Sequence, residues 1–250
     1  CIKDELEMVY LIGAGPGDPG LITYKGLQIL KSCDAVIYDR LGTGELLDLV
    51  RPDCAKIYVG KQAGAHYKKQ EEINRILVET AGKYEKVVRL KGGDSFVFGR
   101  GGEEILTLQE ADIPFQVIPG VTSAIAVPEV LGIPVTHREM SRSFHVITGH
   151  TADNLSPEVE EIRWKSYAKL DETFVFLMGL KSIDMITEKL MRYGKLSDTP
   201  VAVIHGENTD GTYVKLVGTL SDIAAKVKEV DFPSPAIIVV GEVASLELTD

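Results

Sequence analysis

Cysteine is scarce in this sequence and forms no recognisable motif. The three cysteines, Cys1, Cys33 and Cys54, are odd in number, and no two of them have CxxC spacing. Zinc sites and disulfide frameworks need clustered or paired cysteines, so we expect reduced thiols, no metal site and a cytoplasmic chain.

Long hydrophobic runs are also missing. No apolar segment approaches the roughly 20 residues that a membrane-spanning helix requires. The opening segment, CIKDELEM, is charged rather than basic and then apolar, so it lacks the pattern of a signal peptide. We therefore expect no membrane partner.

Positive charge is in deficit. Lys and Arg number 27 against 37 for Asp and Glu, a formal net charge of -10. Phosphate contacts need clustered cations, so this balance argues against a nucleic-acid partner. It does not exclude an anionic small molecule, whose site needs only a few local cations.

Strands and helices alternate in the first half of the chain. Apolar segments near residues 8–13, 35–39, 55–61, 84–90 and 115–120 are each typical of a buried strand, and helical patterns separate most of them. This order predicts a parallel sheet with right-handed crossovers.

The second half has a different pattern, because several of its predicted strands follow each other without a helix. Close strands of this kind favour a mixed sheet. Residues 153–169 are interpreted as a polar insertion, and helices are predicted at 182–192 and 221–229. We expect two α/β domains, residues 1–124 and residues 125–250.

The segment RLKGGDSFVFGRGGEE, residues 89–104, is unlike ordinary loop sequence. Gly92, Gly93 and Asp94 follow a predicted strand, and open α/β sheets bind ligands at the carboxyl ends of their strands. Paired glycines allow close approach to the backbone, and Asp94 offers a carboxylate to a ribose hydroxyl or a cation. Arg100 and Glu103 stand where a loop becomes a helix. The alternative is a glycine-rich turn with a solvated acid and a surface Arg–Glu pair.

The first strand runs into GAGPGDPG, in which Pro16 and Pro19 interrupt the glycines. A dinucleotide fingerprint would open a helix at its third glycine, whereas this loop is stiff and its helix is predicted to begin after Thr23. Two interpretations stay open here, an ordinary strand-to-helix loop and a loop that touches a ligand.

Taken in order, a set of segments covering about residues 8–245 resembles the tetrapyrrole methylases, and among them those that methylate uroporphyrinogen III. The segments are GAGPGDP, YDRL, VGK, QEEIN, KGGDSFVFGRGGEE, PGVTSA, PVTHR, TGH and PAIIVVGEV. The resemblance implies two α/β domains with S-adenosylmethionine in the cleft between them, and a homodimer. It also implies two C-methylations, through precorrin-1 to precorrin-2, for sirohaem or cobalamin synthesis, with S-adenosylhomocysteine as the other product.

The resemblance also implies roles for individual residues. Arg100, Glu103 and Arg138 match substrate or catalytic positions. Positions that hold S-adenosylmethionine are matched by Pro16, Gly92, Gly93, Asp94, Val97, Thr122, Ser123, Met178, Ala202 and Ala236.

A tetrapyrrole with eight carboxylates needs cations gathered on one surface of this acidic chain. Arg40, Lys61 and Lys91 lie at or beside predicted strand ends and are candidate substrate contacts. For each of them a solvated surface charge is the alternative, and for Arg100 with Glu103 it is a structural salt bridge.

The sequence departs from the family pattern at four positions. Ser95 stands where proline is usual, Ser123 where alanine is usual, Gln62 where arginine is frequent, and Asn208 where glycine is common. Other functions stay open: methylation of a later corrin intermediate, of ribosomal RNA or of a protein side chain, or a nucleotide-binding module without catalysis. The net charge of -10 argues against RNA, and the joint presence of YDRL, GRGGEE and THR favours uroporphyrinogen III. No second glycine-rich strand-helix unit for a nicotinamide cofactor is found, so we expect methylation without oxidation or metal insertion.

Overall fold

A computed structural model describes residues 8–39, 44–60, 70–149, 156–206, 212–246 and 248. The chain forms two compact units, Cys1–Ser123 and Ala124–Asp250. Within the described ranges, no helix combines the length and the apolar character needed to cross a membrane.

The first unit is built on one five-stranded sheet in which every pairing is parallel. The strand order is β3-β2-β4-β1-β5, so the predicted parallel sheet is confirmed. In chain order the elements are β1 (Met8–Gly13), α1 (Tyr24–Lys31), β2 (Ala35–Tyr38), β3 (Ala55–Tyr58), α2 (Gln70–Ala81), β4 (Lys86–Lys91), α3 (Gly101–Glu110) and β5 (Phe115–Ile118). The next helix, α4 (Ser123–Val130), begins at the last residue of the first unit, and its other residues belong to the second.

Both faces of this sheet are covered, which explains why its strands are almost continuously apolar. Ile12 and Val36 pack with Leu30 of α1 on one face. The other face packs against α2 and α3, through Leu77 and Leu108. Alternation along each strand therefore decides which residues meet which helix.

Helix α1 begins where the sequence predicts. Thr23 has extended backbone angles, and its Oγ1 accepts a hydrogen bond from Gly26 N at 3.3 Å. This cap satisfies one of the free amides of the first turn, so the loop after β1 remains outside the helix.

The core of the first unit contains two thiols in contact. The Cys33 and Cys54 sulfurs lie 3.6 Å apart, and both side chains are buried and unoxidised. Burial raises the pKa of each thiol, which keeps both in the neutral form.

The second unit has a five-stranded sheet in the order β6-β7-β10-β8-β9, and the predicted mixed sheet is confirmed. Strands β6 and β7 are parallel, and the other pairings are antiparallel. The elements are β6 (Phe144–Thr148), α5 (Pro157–Lys169), β7 (Thr173–Leu177), α6 (Ile183–Arg192), β8 (Pro200–His205), β9 (Val214–Thr219), α7 (Ile223–Glu229) and β10 (Ile237–Val240).

Helix α5 corrects the interpretation of residues 153–169 as a polar insertion. Ser156 accepts a hydrogen bond from Val159 N at 3.4 Å, and Pro157 occupies the first turn, so the segment has a complete helix start. Most of the helix surface is polar, but one narrow apolar stripe is buried, and there Trp164 stacks on Phe176 of β7.

Candidate functional site

Three glycines meet at the carboxyl edge of the first sheet. Gly13 ends β1, Gly93 follows β4 and Gly120 follows β5. A Cβ added at Gly13 would lie 2.5 Å from Gly120 Cα, and one added at Gly120 would overlap the Gly93 carbonyl oxygen. The three backbones are therefore in direct contact, and we call Gly13, Gly93 and Gly120 the glycine junction.

A short backbone bridge ties the loop after β1 to the loop after β4. Gly93 N donates to Gly15 O at 2.7 Å, and Gly15 N donates to Gly93 O at 3.2 Å. Both glycines have positive φ, +84° at Gly15 and +66° at Gly93, which other residues adopt with strain. Pro16 is buried directly after this bridge. The loops predicted to touch a ligand thus lie side by side at the strand ends.

Asp94 is more constrained than its sequence suggests. Its Oδ1 accepts from Phe96 N at 2.8 Å and its Oδ2 accepts from Gly120 N at 3.0 Å. The carboxylate therefore holds two loops together, a structural role that the sequence interpretation did not include. Each oxygen has a second lone pair, so the predicted ligand contact remains compatible with this geometry.

Ser95 occupies the second position of a turn that Val97 closes, since Val97 N donates to Asp94 O at 3.3 Å. The Ser95 hydroxyl is buried, and it has no hydrogen-bond partner among the residues that the structure describes. This is the position where the family usually has proline, which suits the second residue of such a turn.

We expect Ser95→Pro to raise the free energy of unfolding by about 0.4–1 kcal/mol, because proline restricts the unfolded chain. Denaturant titration measures this change. Ser95→Ala is the control, because it removes the buried hydroxyl without restricting the backbone. A Ser95→Pro protein less stable than Ser95→Ala would show that proline does not fit this turn.

Arg100 and Glu103 form a bidentate ion pair at the start of α3. Arg100 Nε and Nη2 lie 2.8 Å and 2.6 Å from the two Glu103 oxygens. Both side chains are about half exposed, at 55% and 50%. Hydrogen bonds from Arg100 lower the pKa of Glu103, which is therefore anionic at neutral pH.

The backbone around this pair is strained. Arg100 and Phe98 have φ values of +57° and +54°, which are uncommon for residues with side chains. Such strain occurs often at functional sites. The pair lines an open depression of about 370 Å³ that also includes Gln70, Glu71 and Asn74.

A buried ion cluster lies beneath the same helix turn, and we define it as Asp39, Arg89, Lys91 and Glu104. Glu104 Oε1 accepts from Arg89 Nε at 3.1 Å and from Lys91 Nζ at 3.0 Å. Arg89 Nη2 lies 3.3 Å from Asp39 Oδ2, and Arg89 Nη1 donates to Leu90 O at 3.1 Å. The two positive and two negative charges of the cluster therefore sum to zero.

Lys91 is placed differently from the exposed substrate contact expected of it. Its side chain is only 6% exposed and is paired with Glu104. The reason is strand alternation, because Lys91 and Arg89 point to the face that α3 covers. Burial, followed by the Arg89 charge, lowers the pKa of Lys91.

The other predicted site residues are distributed over both units. Ser123 lies near Gly93, whose added Cβ would be 3.9 Å from Ser123 N, and Thr122 immediately precedes α4. Arg40, Lys61, Gln62 and Asn208 lie outside the described residues.

In the second unit, Met178 follows β7 with φ +55° and is 46% exposed. Ala202 of β8 and Ala236 are buried. Arg138 is exposed at the tip of a turn, in which His137 N donates to Ser141 O at 2.8 Å. Met178 is therefore not part of the core of the second unit.

Sequence reasoning missed Asp39 and Glu104. A signal for both was present: Asp39 ends a buried strand, and Arg89 and Lys91 are two cations on one face of another buried strand, which require anions. Across the described ranges, no group of three or more His, Cys, Asp or Glu side chains is placed to hold a metal ion, and the absence of a metal stays a prediction.

Comparisons with known proteins agree with the sequence resemblance. The family model for tetrapyrrole (corrin/porphyrin) methylases matches residues 8–224. The uroporphyrinogen-III C-methyltransferase of Methanocaldococcus jannaschii is 51% identical over 240 residues, covering 95% of this chain and 97% of that protein. The siroheme synthase of Photorhabdus laumondii is 49% identical and covers 94% of this chain, but the match spans only 49% of that protein.

A solved structure is also similar. The uroporphyrin-III C-methyl transferase from Thermus thermophilus, complexed with S-adenyl homocysteine, is 36% identical with a TM-score of 0.78, covering 95% of this chain and 93% of that chain. Since the family model covers most of the chain and the relatives exceed 30% identity, the chain belongs to the tetrapyrrole (corrin/porphyrin) methylases.

Proposed function

We propose that this chain is an S-adenosylmethionine-dependent methyltransferase that adds two methyl groups to ring carbons of uroporphyrinogen III, through precorrin-1 to precorrin-2. The observation that carries the proposal is the 51% identity to a uroporphyrinogen-III C-methyltransferase over 97% of that protein's length. The chain spans about half the length of the siroheme synthases it matches, so no activity beyond methylation is proposed from them.

Two features of the first unit support a cofactor site beside Gly93. Within the described part of the chain, a Cβ at Gly93 would meet only Ser123 N, at 3.9 Å, so a ligand can approach this backbone closely. Asp94 keeps unused acceptor positions for ribose hydroxyls beside it. Bound S-adenosylmethionine would supply an electrophilic methyl group on its sulfonium sulfur.

In this proposal Arg100 and Glu103 both act on the substrate, and each has a different role. The guanidinium of Arg100 can exchange its bidentate partner from Glu103 to a substrate carboxylate, and so orient the acceptor ring. Glu103, anionic at neutral pH, can stabilise the positive charge that develops on an attacking pyrrole or accept a proton from it. Arg138 is proposed as a further substrate contact, as are Arg40 and Lys61.

Several finer features belong to the proposal and rest on the resemblance. They are cofactor contacts by Pro16, Val97, Thr122, Met178, Ala202 and Ala236, a homodimer, a cytoplasmic location, and a role in sirohaem or cobalamin synthesis. Sedimentation of the purified protein tests the dimer directly, because one chain has a mass of 27.3 kDa.

The reaction itself is tested with purified protein, S-adenosylmethionine and uroporphyrinogen III, with the product followed by mass and absorbance. We expect a doubly methylated product that is unchanged in identity when NAD and ferrous iron are added. Sirohaem formation would reveal an additional activity. Cofactor binding without methylation of uroporphyrinogen III would place the chain in another branch of the family.

A further inference from the structure

Glu104 is the least exposed charged group in the buried ion cluster. Its side chain has no exposed surface, and both cations contact one oxygen, Oε1. The other oxygen, Oε2, is buried and has no hydrogen-bond partner among the residues described. A buried carboxylate that leaves one oxygen unsatisfied is an inefficient way to stabilise a fold, so it calls for another explanation.

The location of Glu104 supplies that explanation. It directly follows Glu103 in the first turn of α3, whereas its two partners, Arg89 and Lys91, belong to β4. Arg89 also reaches Asp39 at the end of β2. The buried ion cluster therefore connects the first turn of α3 to the ends of two strands at the carboxyl edge of the sheet.

The Arg100–Glu103 pair lies in the same helix turn as this connection. Successive residues of a helix point about 100° apart, so the inward direction of Glu104 makes Glu103 point outward beside Arg100. The junction before α3 contains two left-handed residues, Phe98 and Arg100, and surrounding contacts must maintain that strained backbone. Glu104 lies in the turn that follows this junction, and its backbone N donates to Arg100 O at 3.3 Å.

We propose that Glu104 is a positioning residue for methyl transfer: by its ion pairs to Arg89 and Lys91 it holds the first turn of α3, and with it Arg100 and Glu103, in the orientation that serves the substrate. This inference rests on the proposed function. It assigns no substrate contact to Glu104.

A set of three variants tests this role separately from stability. Glu104→Gln keeps the shape but removes the charge. Lys91→Met removes one cation and keeps the Arg89–Glu104 pair. The double variant Lys91→Met with Glu104→Met replaces an ion pair by apolar side chains of similar length, and such replacements often preserve stability.

For Glu104→Gln we expect kcat for methylation to fall about tenfold or more, the effect of a small displacement of orienting groups, while the KM for S-adenosylmethionine changes less than about threefold. Lys91→Met, which keeps the Arg89–Glu104 pair, should lower kcat less than Glu104→Gln does. The double variant should recover the thermal midpoint of the wild type and still have the low kcat. Arg51→Ala, which breaks a surface ion pair with Asp53, is the control for an unrelated charge change.

The outcomes are distinguishable. If the double variant recovers both the thermal midpoint and kcat, Glu104 acts through stability alone and the inference is wrong. A folded Glu104→Gln protein with wild-type kcat overturns it equally. If Glu104→Gln does not fold, the double variant is the test. A low kcat in the folded double variant supports the positioning role, and a wild-type kcat contradicts it. A wild-type protein that fails to methylate uroporphyrinogen III contradicts the proposed function instead.

Discussion

Gly120→Ala is expected to destabilise the first unit by about 3 kcal/mol and to abolish measurable cofactor binding, because overpacking a close-packed site forces the backbone to move. Its new Cβ would overlap the Gly93 carbonyl oxygen and lie 2.6 Å from Gly13 Cα. These neighbours are backbone atoms, so no side chain can rotate away. Denaturant unfolding and calorimetric titration with S-adenosylmethionine measure the two effects.

Gly102→Ala is the matched control for this glycine change. Gly102 lies in the first turn of α3, and an added Cβ there meets nothing within 4 Å in the part of the chain described. Alanine in a helix is favoured over glycine by about 0.5–1 kcal/mol, so this variant should be as stable as wild type or more so. Normal cofactor binding by Gly120→Ala would contradict the prediction. It would show that the three backbones of the glycine junction can move apart without loss of cofactor binding.

Arg100→Ala is expected to lower kcat for methylation of uroporphyrinogen III by about 10²–10³-fold, the usual cost of removing one preorganised donor. Affinity for S-adenosylmethionine should stay close to wild type, because Arg100 is assigned to the substrate. Arg100→Lys should recover little, because an ammonium cannot make the bidentate contact. Single-turnover kinetics and calorimetric titration separate the two quantities.

Arg51→Ala provides a control that removes a similar bidentate pair, together with a contact from Arg51 Nη1 to Asp34 Oδ1 at 3.2 Å. Arg51 binds Asp53 through Nε and Nη2 at 3.0 Å and 2.6 Å, as Arg100 binds Glu103, but it lies just before β3, at the opposite edge of the sheet. Its loss should leave methylation unchanged. If Arg100→Ala instead bound S-adenosylmethionine poorly but methylated the substrate at the normal rate once the cofactor was bound, Arg100 would be a cofactor contact and not a substrate contact.

The first sheet was predictable because its signals are local. A buried parallel strand is a short apolar run, and a helix start such as Thr23 is specified within four residues. The position of the glycine-rich loops at strand ends follows from these two features. Helix α4 is less local in origin, because it continues through Pro128, which lies inside the helix.

The remaining features depend on contacts between distant residues. Helix α5 was not predicted because most of its surface is polar and only a narrow stripe around Trp164 is buried. Strand alternation turns Lys91 inward, but its partner Glu104 is thirteen residues away. One of the two bonds of Asp94 comes from Gly120, which is twenty-six residues away. No local pattern encodes such pairings.

The contact between Cys33 and Cys54 offers a built-in reporter for the first unit. Thiolates are the reactive form, and here burial both raises the thiol pKa values and excludes solvent. An alkylating reagent therefore reaches these sulfurs only when the unit opens. The rate at which the two side chains are modified measures the opening equilibrium of the unit that carries the glycine-rich loops, without an introduced label.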